Sequence, residues 1–161
     1  MDALILSAAQ WLDAVGIGPW ARGGALVYPV ANTLHLLGLV MLVGGIGVVD
    51  LRVLGFWKRL PMEALSRALT PVAIAGLILM VPTGVVLFAA DGVALSGSDA
   101  FERKLVLIAI ALANALAFRG MFDKRIGGWG DRAPALARIM AAASILLWLL
   151  IGTLGRWIAY S

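Results

Sequence analysis

The 161-residue chain contains no cysteine. That absence excludes disulfides, cysteine-based zinc sites, iron–sulfur clusters, thiolate haem ligation and any thiol nucleophile. There is one histidine, His35, so a multi-histidine metal site within one chain is excluded, including a four-histidine, two-haem arrangement. Charge is also scarce. Charged residues make up 14% and hydrophobic residues 62%, with a mean hydropathy of +0.98, against about 25% and about 45–50% in soluble domains. So few charges cannot coat a water-facing surface, and a disordered chain would be polar. No nucleotide-binding glycine loop is present, because Gly44-Gly45-Ile46-Gly47 lies in an apolar run without the following pattern. There is no serine elbow and no HExxH. No basic residue precedes Arg22, so a cleaved signal peptide is not expected.

What is present is length and continuity of apolar sequence. A bilayer core of about 30 Å needs about 20 apolar residues in helix. Four stretches qualify, at about 25–49, 71–90, 100–118 and 135–160. They are too long and unbroken for the alternating strands of a barrel. The expected fold is therefore an all-α integral membrane four-helix bundle forming a single transmembrane domain. Thr70-Pro71 reads as an N-cap followed by an N1 proline. Asp99 with Glu102 resembles a capping box. Pro82 is expected to kink the second span, and Gly127, Gly128 and Gly130 separate the third from the fourth.

Residues 2–15 carry Leu4, Ile5, Ala8, Trp11, Leu12 and Val15 at helical spacing, which predicts a short amphipathic helix at the membrane interface. The positive-inside rule then sets orientation. The first and third loops together hold nine Lys and Arg residues, and the remaining segments hold four. Those loops are expected to be cytoplasmic and both termini outward, in a bacterial inner (plasma) membrane. Trp11, Trp20, Tyr28, Phe88, Trp157 and Tyr160 are expected to form the outer aromatic belt. Phe56, Trp57, Phe118, Phe122 and Trp129 are expected to form the inner one. Topology already accounts for the spread of basic residues, so no nucleic-acid partner is expected.

His35 is the sharpest chemical feature. It lies roughly ten residues into the first span, about 15 Å along the axis by the helix rise. An ionisable residue inside the membrane is a functional hypothesis by default. A neutral imidazole offers one lone pair, which suits a metal and in particular a haem iron. The other reading is an interhelical hydrogen bond to Asn32, Thr33, Thr83, Asn114 or Ser144. Ala31, Gly38 and Gly45 recur every seven residues beside it. Such a face permits close helix approach or leaves room for a flat macrocycle. Met80 is a candidate second axial ligand, Arg103 and Lys104 are candidate partners for haem propionates, and Trp148 could stack on a cofactor. Asp50 and Arg52, two residues apart, are expected to pair with other helices or with headgroups.

The string Tyr28-Pro29-Val30-Ala31-Asn32-Thr33-Leu34-His35-Leu36-Leu37-Gly38 is followed by Val49-Asp50-Leu51-Arg52-Val53-Leu54-Gly55. Further on come Pro71, Gly76, Thr83-Gly84, Phe88, Phe101-Glu102-Arg103-Lys104-Leu105 and Asn114. Together these resemble an uncharacterised bacterial family of small four-span membrane proteins, a domain of unknown function. A fainter likeness, carried by His35, Gly38, Arg52 and Lys104-Leu105, is to the HemJ-type membrane protoporphyrinogen oxidases and the membrane part of CopD-type copper-resistance proteins. The chain lacks the further histidines of those groups. The first resemblance implies topology alone, and the HemJ likeness points towards haem or porphyrin.

The leading expectation is a lipid-embedded protein that binds b-type haem or a porphyrin at His35 for membrane redox, with a homodimer or a larger membrane complex as its candidate assemblies. The alternative is a non-enzymatic accessory subunit of a larger membrane complex. A third reading is a small transporter, against which no acidic residue stands mid-span.

Overall fold

The computed structural model describes residues 1–130 and 132–158. The expected span end at Tyr160, and that tyrosine's place in the outer belt, lie outside the described residues. The elements are α1 (Asp2–Ala14), α2 (Ile17–Gly23), α3 (Val27–Leu54), α4 (Met62–Leu95), α5 (Asp99–Phe122), a 3-10 segment (Asp123–Gly128) and α6 (Ala135–Trp157). Among the described residues four helices are long and apolar enough to cross a membrane. Many of their apolar side chains face outward, including Val40, Ile78, Leu116 and Ile139. An apolar outer surface is what a bundle bathed in lipid requires.

The helices outrun the hydrocarbon-length stretches read from the sequence. Hydropathy marks where a helix meets lipid, whereas the backbone ladder continues until a cap or a breaker stops it. α3 runs on to Leu54 and ends at Gly55, whose φ of 109° is the left-handed conformation of a helix C-cap. α4 starts at Met62 behind Pro61 and passes through both Pro71 and Pro82. The start expected at Thr70-Pro71 is therefore overturned: neighbouring packing supports a helix across a proline inside a membrane. The cap of α5 is shifted by one residue, because the Ser98 hydroxyl, not Asp99, accepts from the Phe101 N–H at 3.4 Å.

α3 and α4 form an antiparallel hairpin with the closest contact in the bundle. α6 packs on α3, α5 packs on α6, and α4 and α5 hardly touch along their lengths. Leu42, Ala73, Ala111, Trp148 and Ile151, drawn from all four spans, fill the centre. The two ends of the bundle differ. The near end carries α1, α2 and the α4–α5 turn. The far end carries the α3–α4 turn and the 3-10 segment.

At the near end α1 docks on the last turns of α4 through Ile5, Ala9 and Leu12, with Ala9 against Gly92. Leu4, Trp11 and Val15, expected on that same apolar face, are exposed. Of the predicted apolar face only Ile5 and Leu12 meet protein, and Ala8 is left outward with the other three, while Ala9, outside that face, is buried. A second short helix, α2, was not legible in the sequence. Its Arg22 reaches the Ala89 carbonyl at 3.2 Å and Asp13 at 2.9 Å, which ties the N-terminal unit to α4. At the far end Phe118, Phe122 and Trp129 interlock with tilted and edge-on rings. Phe122 is buried, so this trio holds α5 to its connecting segment in place of a lipid-facing belt, while Phe56 and Trp57 are exposed.

Candidate functional site

The α3–α4 hairpin decides what His35 can touch. A side chain at Gly38 would meet the Gly76 carbonyl at 2.8 Å and Met80 Cγ at 2.7 Å. One at Gly45 would meet the Leu69 carbonyl at 2.9 Å. The small residues thus serve close helix approach, and α4 fills the space beside Gly38 that the alternative reading would give to a macrocycle. Close approach brings His35 within reach of α4. Its Nδ1 lies 3.1 Å from Thr83 Oγ1. Thr83 was one of five candidate partners in the sequence.

The direction of this bond follows from the threonine's other contacts. Thr83 Oγ1 donates its one hydrogen to the Leu79 carbonyl at 2.7 Å, with the Met80 carbonyl also at 3.2 Å. A hydroxyl has one hydrogen and two lone pairs, so towards His35 it accepts. The imidazole therefore carries its proton on Nδ1, and the Met80 carbonyl, which also faces the ring, favours the same arrangement. Nε2 makes no hydrogen bond among the described residues and keeps its lone pair. Gly84 leaves space for the ring: a Cβ there would stand 3.2 Å from His35 Cε1.

Lys104, in the second turn of α5, turns inward, and its charge acts on this histidine. Gly155 of α6 makes room for it, since a side chain there would stand 3.2 Å from Nζ. Lys104 has no hydrogen-bond or ion-pair partner among the described residues. Arg103, its neighbour, points the other way, exposed and 3.8 Å from Asp99. Trp148 is buried in the centre of the bundle at the level of Leu42, about 10 Å along α3 from His35 by the helix rise. His35, Met80 and Lys104 thus come together, with Met80 contributing its carbonyl while its side chain packs on Gly38. Arg103 and Trp148 stay apart from them. Phe88 and Phe101 stack at 5.5 Å and close the near end of the α4–α5 gap.

A second polar group is Asp50. It is 4% exposed, faces Ser144 of α6, and its Oδ2 has no hydrogen-bond partner. Asn114 of α5 reaches the Met140 carbonyl one turn earlier on α6 at 3.1 Å. The signal available for Asp50 was its place five residues before Gly55, next to Val49 and about two turns on from Leu42, both of which are buried. Arg52 turns into the far-end turn, where Nε donates to the Leu60 carbonyl at 2.8 Å and Nη2 to the Lys58 carbonyl at 3.0 Å. Among the described residues no three His, Cys, Asp or Glu side chains converge on a metal-sized site.

No curated protein and no solved structure matches the chain. A family model described as a family of unknown function (DUF6644) matches residues 10–161. That match takes in the end of α1, all four spans, His35, Thr83, Lys104 and Asp50. The small four-helix bundle described above therefore belongs to the family of unknown function DUF6644.

Proposed function

We propose that this is a multi-pass protein of a bacterial inner membrane, termini outward, that holds a b-type haem or related porphyrin on His35 and serves membrane electron transfer. The observation that carries this reading is the state of one ring: Nδ1–H is committed to Thr83 and Nε2 is left with a free lone pair. A ligating histidine characteristically gives its other ring N–H to a fixed acceptor, which sets the tautomer and the ring orientation. Lys104 supplies an uncompensated cation nearby for a propionate. α4 fills the Gly38 side, so the group would lie along the other edge of His35, towards Lys104 and Gly155. The Met80 side chain is spent on Gly38, so His35, alone or with His35 of a second copy, would hold the group. Bound there, iron supplies one-electron redox chemistry. The chain's own part is to orient the imidazole, neutralise a carboxylate and exclude water.

The test is the absorption spectrum of protein purified in detergent from haem-sufficient cells. A Soret band is expected that sharpens on reduction and disappears in His35→Ala, with the thermal midpoint of the variant staying close to wild type. Thr83→Val is expected to keep the band and move the reduction potential. A colourless wild-type protein overturns the proposal.

Asp50 favours a second reading, that of a small transporter. A buried carboxylate with an unpaired oxygen in a membrane helix is a mark of an ion or proton path. Proton flux in proteoliposomes, abolished in Asp50→Asn and retained in His35→Ala, would select this reading over the first. No flux above that of empty vesicles would dismiss it.

A further inference from the structure

The gap between α4 and α5, closed at the near end by Phe88 and Phe101, opens at the far end into a groove of about 540 Å³. That volume falls within the range of about 300–1,000 Å³ of small-molecule sites. Its body is apolar, with Pro71, Ile74, Ala75 and Ile78 of α4 along it. Its mouth is charged, with Glu63 and Arg67 on one wall and Arg119 and Asp123 on the other. From Glu63 to Ile78 the groove follows α4 for about 22 Å by the helix rise. One leaflet, headgroup included, is about 20–22 Å, half of a bilayer about 40–45 Å thick. The groove therefore has the length and polarity profile of one leaflet's lipid.

The charges at the mouth select among lipids. Two arginines and two carboxylates cancel, so the mouth has no net attraction for an anionic headgroup. Each pair joins residues four apart in sequence, Arg67 with Glu63 and Arg119 with Asp123, the latter at 3.9 Å. All four side chains are substantially exposed, and exposed pairs of this kind hold each other weakly, so they can be exchanged for a ligand of both signs. Ser66 and Thr70, whose hydroxyls lie 3.3 Å apart, add further polar atoms just inside.

We infer that the α4–α5 groove binds a zwitterionic phospholipid with a primary ammonium headgroup, a phosphatidylethanolamine. Its phosphate lies between Arg67 and Arg119, its ammonium donates to Glu63 and Asp123, and one acyl chain runs along Ile74 and Ile78. A primary ammonium has hydrogens to donate, which a quaternary one lacks. This inference stands apart from the haem reading and shares no residue with it.

Native mass spectrometry of detergent-purified protein, titrated with phosphatidylethanolamine, phosphatidylcholine or phosphatidylglycerol, tests it. One phosphatidylethanolamine per chain is expected to survive activation, at least fivefold over either competitor. Ile74→Trp, which fills the groove, is expected to abolish retention, while Leu116→Trp on the outer face of α5 leaves it unchanged. The double variant Glu63→Gln, Asp123→Asn is expected to remove the preference over phosphatidylcholine and keep the thermal midpoint. Equal retention of all three lipids, preference for the anionic one, or retention in Ile74→Trp would overturn the inference. Displacement by glycerophosphoethanolamine alone would also overturn it, because that would place all the affinity in the headgroup.

Discussion

Gly76→Leu is expected to prevent the α3–α4 hairpin from closing, with a loss of more than about 3 kcal/mol and little folded protein recovered. A side chain at Gly76 would stand 2.7 Å from the Leu42 amide nitrogen and 2.8 Å from Met41 Cβ, with the Gly38 carbonyl closer still. Overpacking a core costs about 1–3 kcal/mol when neighbouring side chains can shift. Here the obstacles are mostly backbone atoms of a continuous helix, which cannot move aside without separating the two helices along their length. That separation would also pull Thr83 from His35 and open the contacts at Gly45. Gly44→Leu is the control: it lies on α3, the other helix of the same hairpin, and nothing stands within 4 Å of its added Cβ. Thermal unfolding in detergent with size-exclusion profiles reads the difference. A Gly76→Leu protein that unfolds at the wild-type temperature would mean that the two helices do not meet at these glycines.

Arg52→Met is expected to cost about 3–5 kcal/mol and to loosen the far-end turn. Arg52 is 2% exposed and holds two carbonyls of that turn, those of Lys58 and Leu60. Hydrogen bonds from a charged donor contribute about 1.5–3 kcal/mol each, and removing the donor leaves both acceptors without their partner. The turn needs this clamp because its backbone is unusual, with Trp57 in the left-handed region at φ 46°. Arg52→Lys should recover only part of the loss, since an ammonium cannot reproduce the planar fork that spans both carbonyls. Limited trypsinolysis offers a local readout, because Lys58 and Arg59 lie inside the clamped turn. Cleavage there is expected to accelerate at least tenfold in Arg52→Met, and an unchanged rate would show that the turn holds itself.

These two residues also mark the boundary of what can be read in one dimension. The glycine spacing was visible, as was the suggestion that it means close helix approach. What it approaches was not visible, because nothing in α3 announces that Gly38 will meet Gly76 in preference to another small residue. Arg52 and Asp50 were expected to pair with other helices or with headgroups; Asp50 does meet α6, whereas Arg52 holds carbonyls of the turn that follows its own helix. The sequence could not show that one clamps a turn eight residues on while the other lies against α6 with an oxygen unpaired. His35 was singled out on cost alone, and Thr83 emerged from five candidates only when the hairpin register was known. Lys104 and Arg103 are adjacent and chemically alike, yet one enters the bundle and the other leaves it. Their difference is about 100° of helical rotation, and it becomes meaningful only once α6 and Gly155 are in place.

The sequence by itself determined that this chain has four helices long and apolar enough to cross a membrane, roughly where each lies, and which few polar side chains are costly enough to matter. Each of those is a property of a single segment measured against its solvent, and hydrocarbon imposes it residue by residue. Only the tertiary structure decided which small residues interlock, which nitrogen of His35 is free, and that a groove the length of one leaflet runs between α4 and α5. The spanning helices are apolar nearly all round, so no polar face records their rotation. Their mutual register is set by backbone contact at glycines, which leaves no trace in hydropathy.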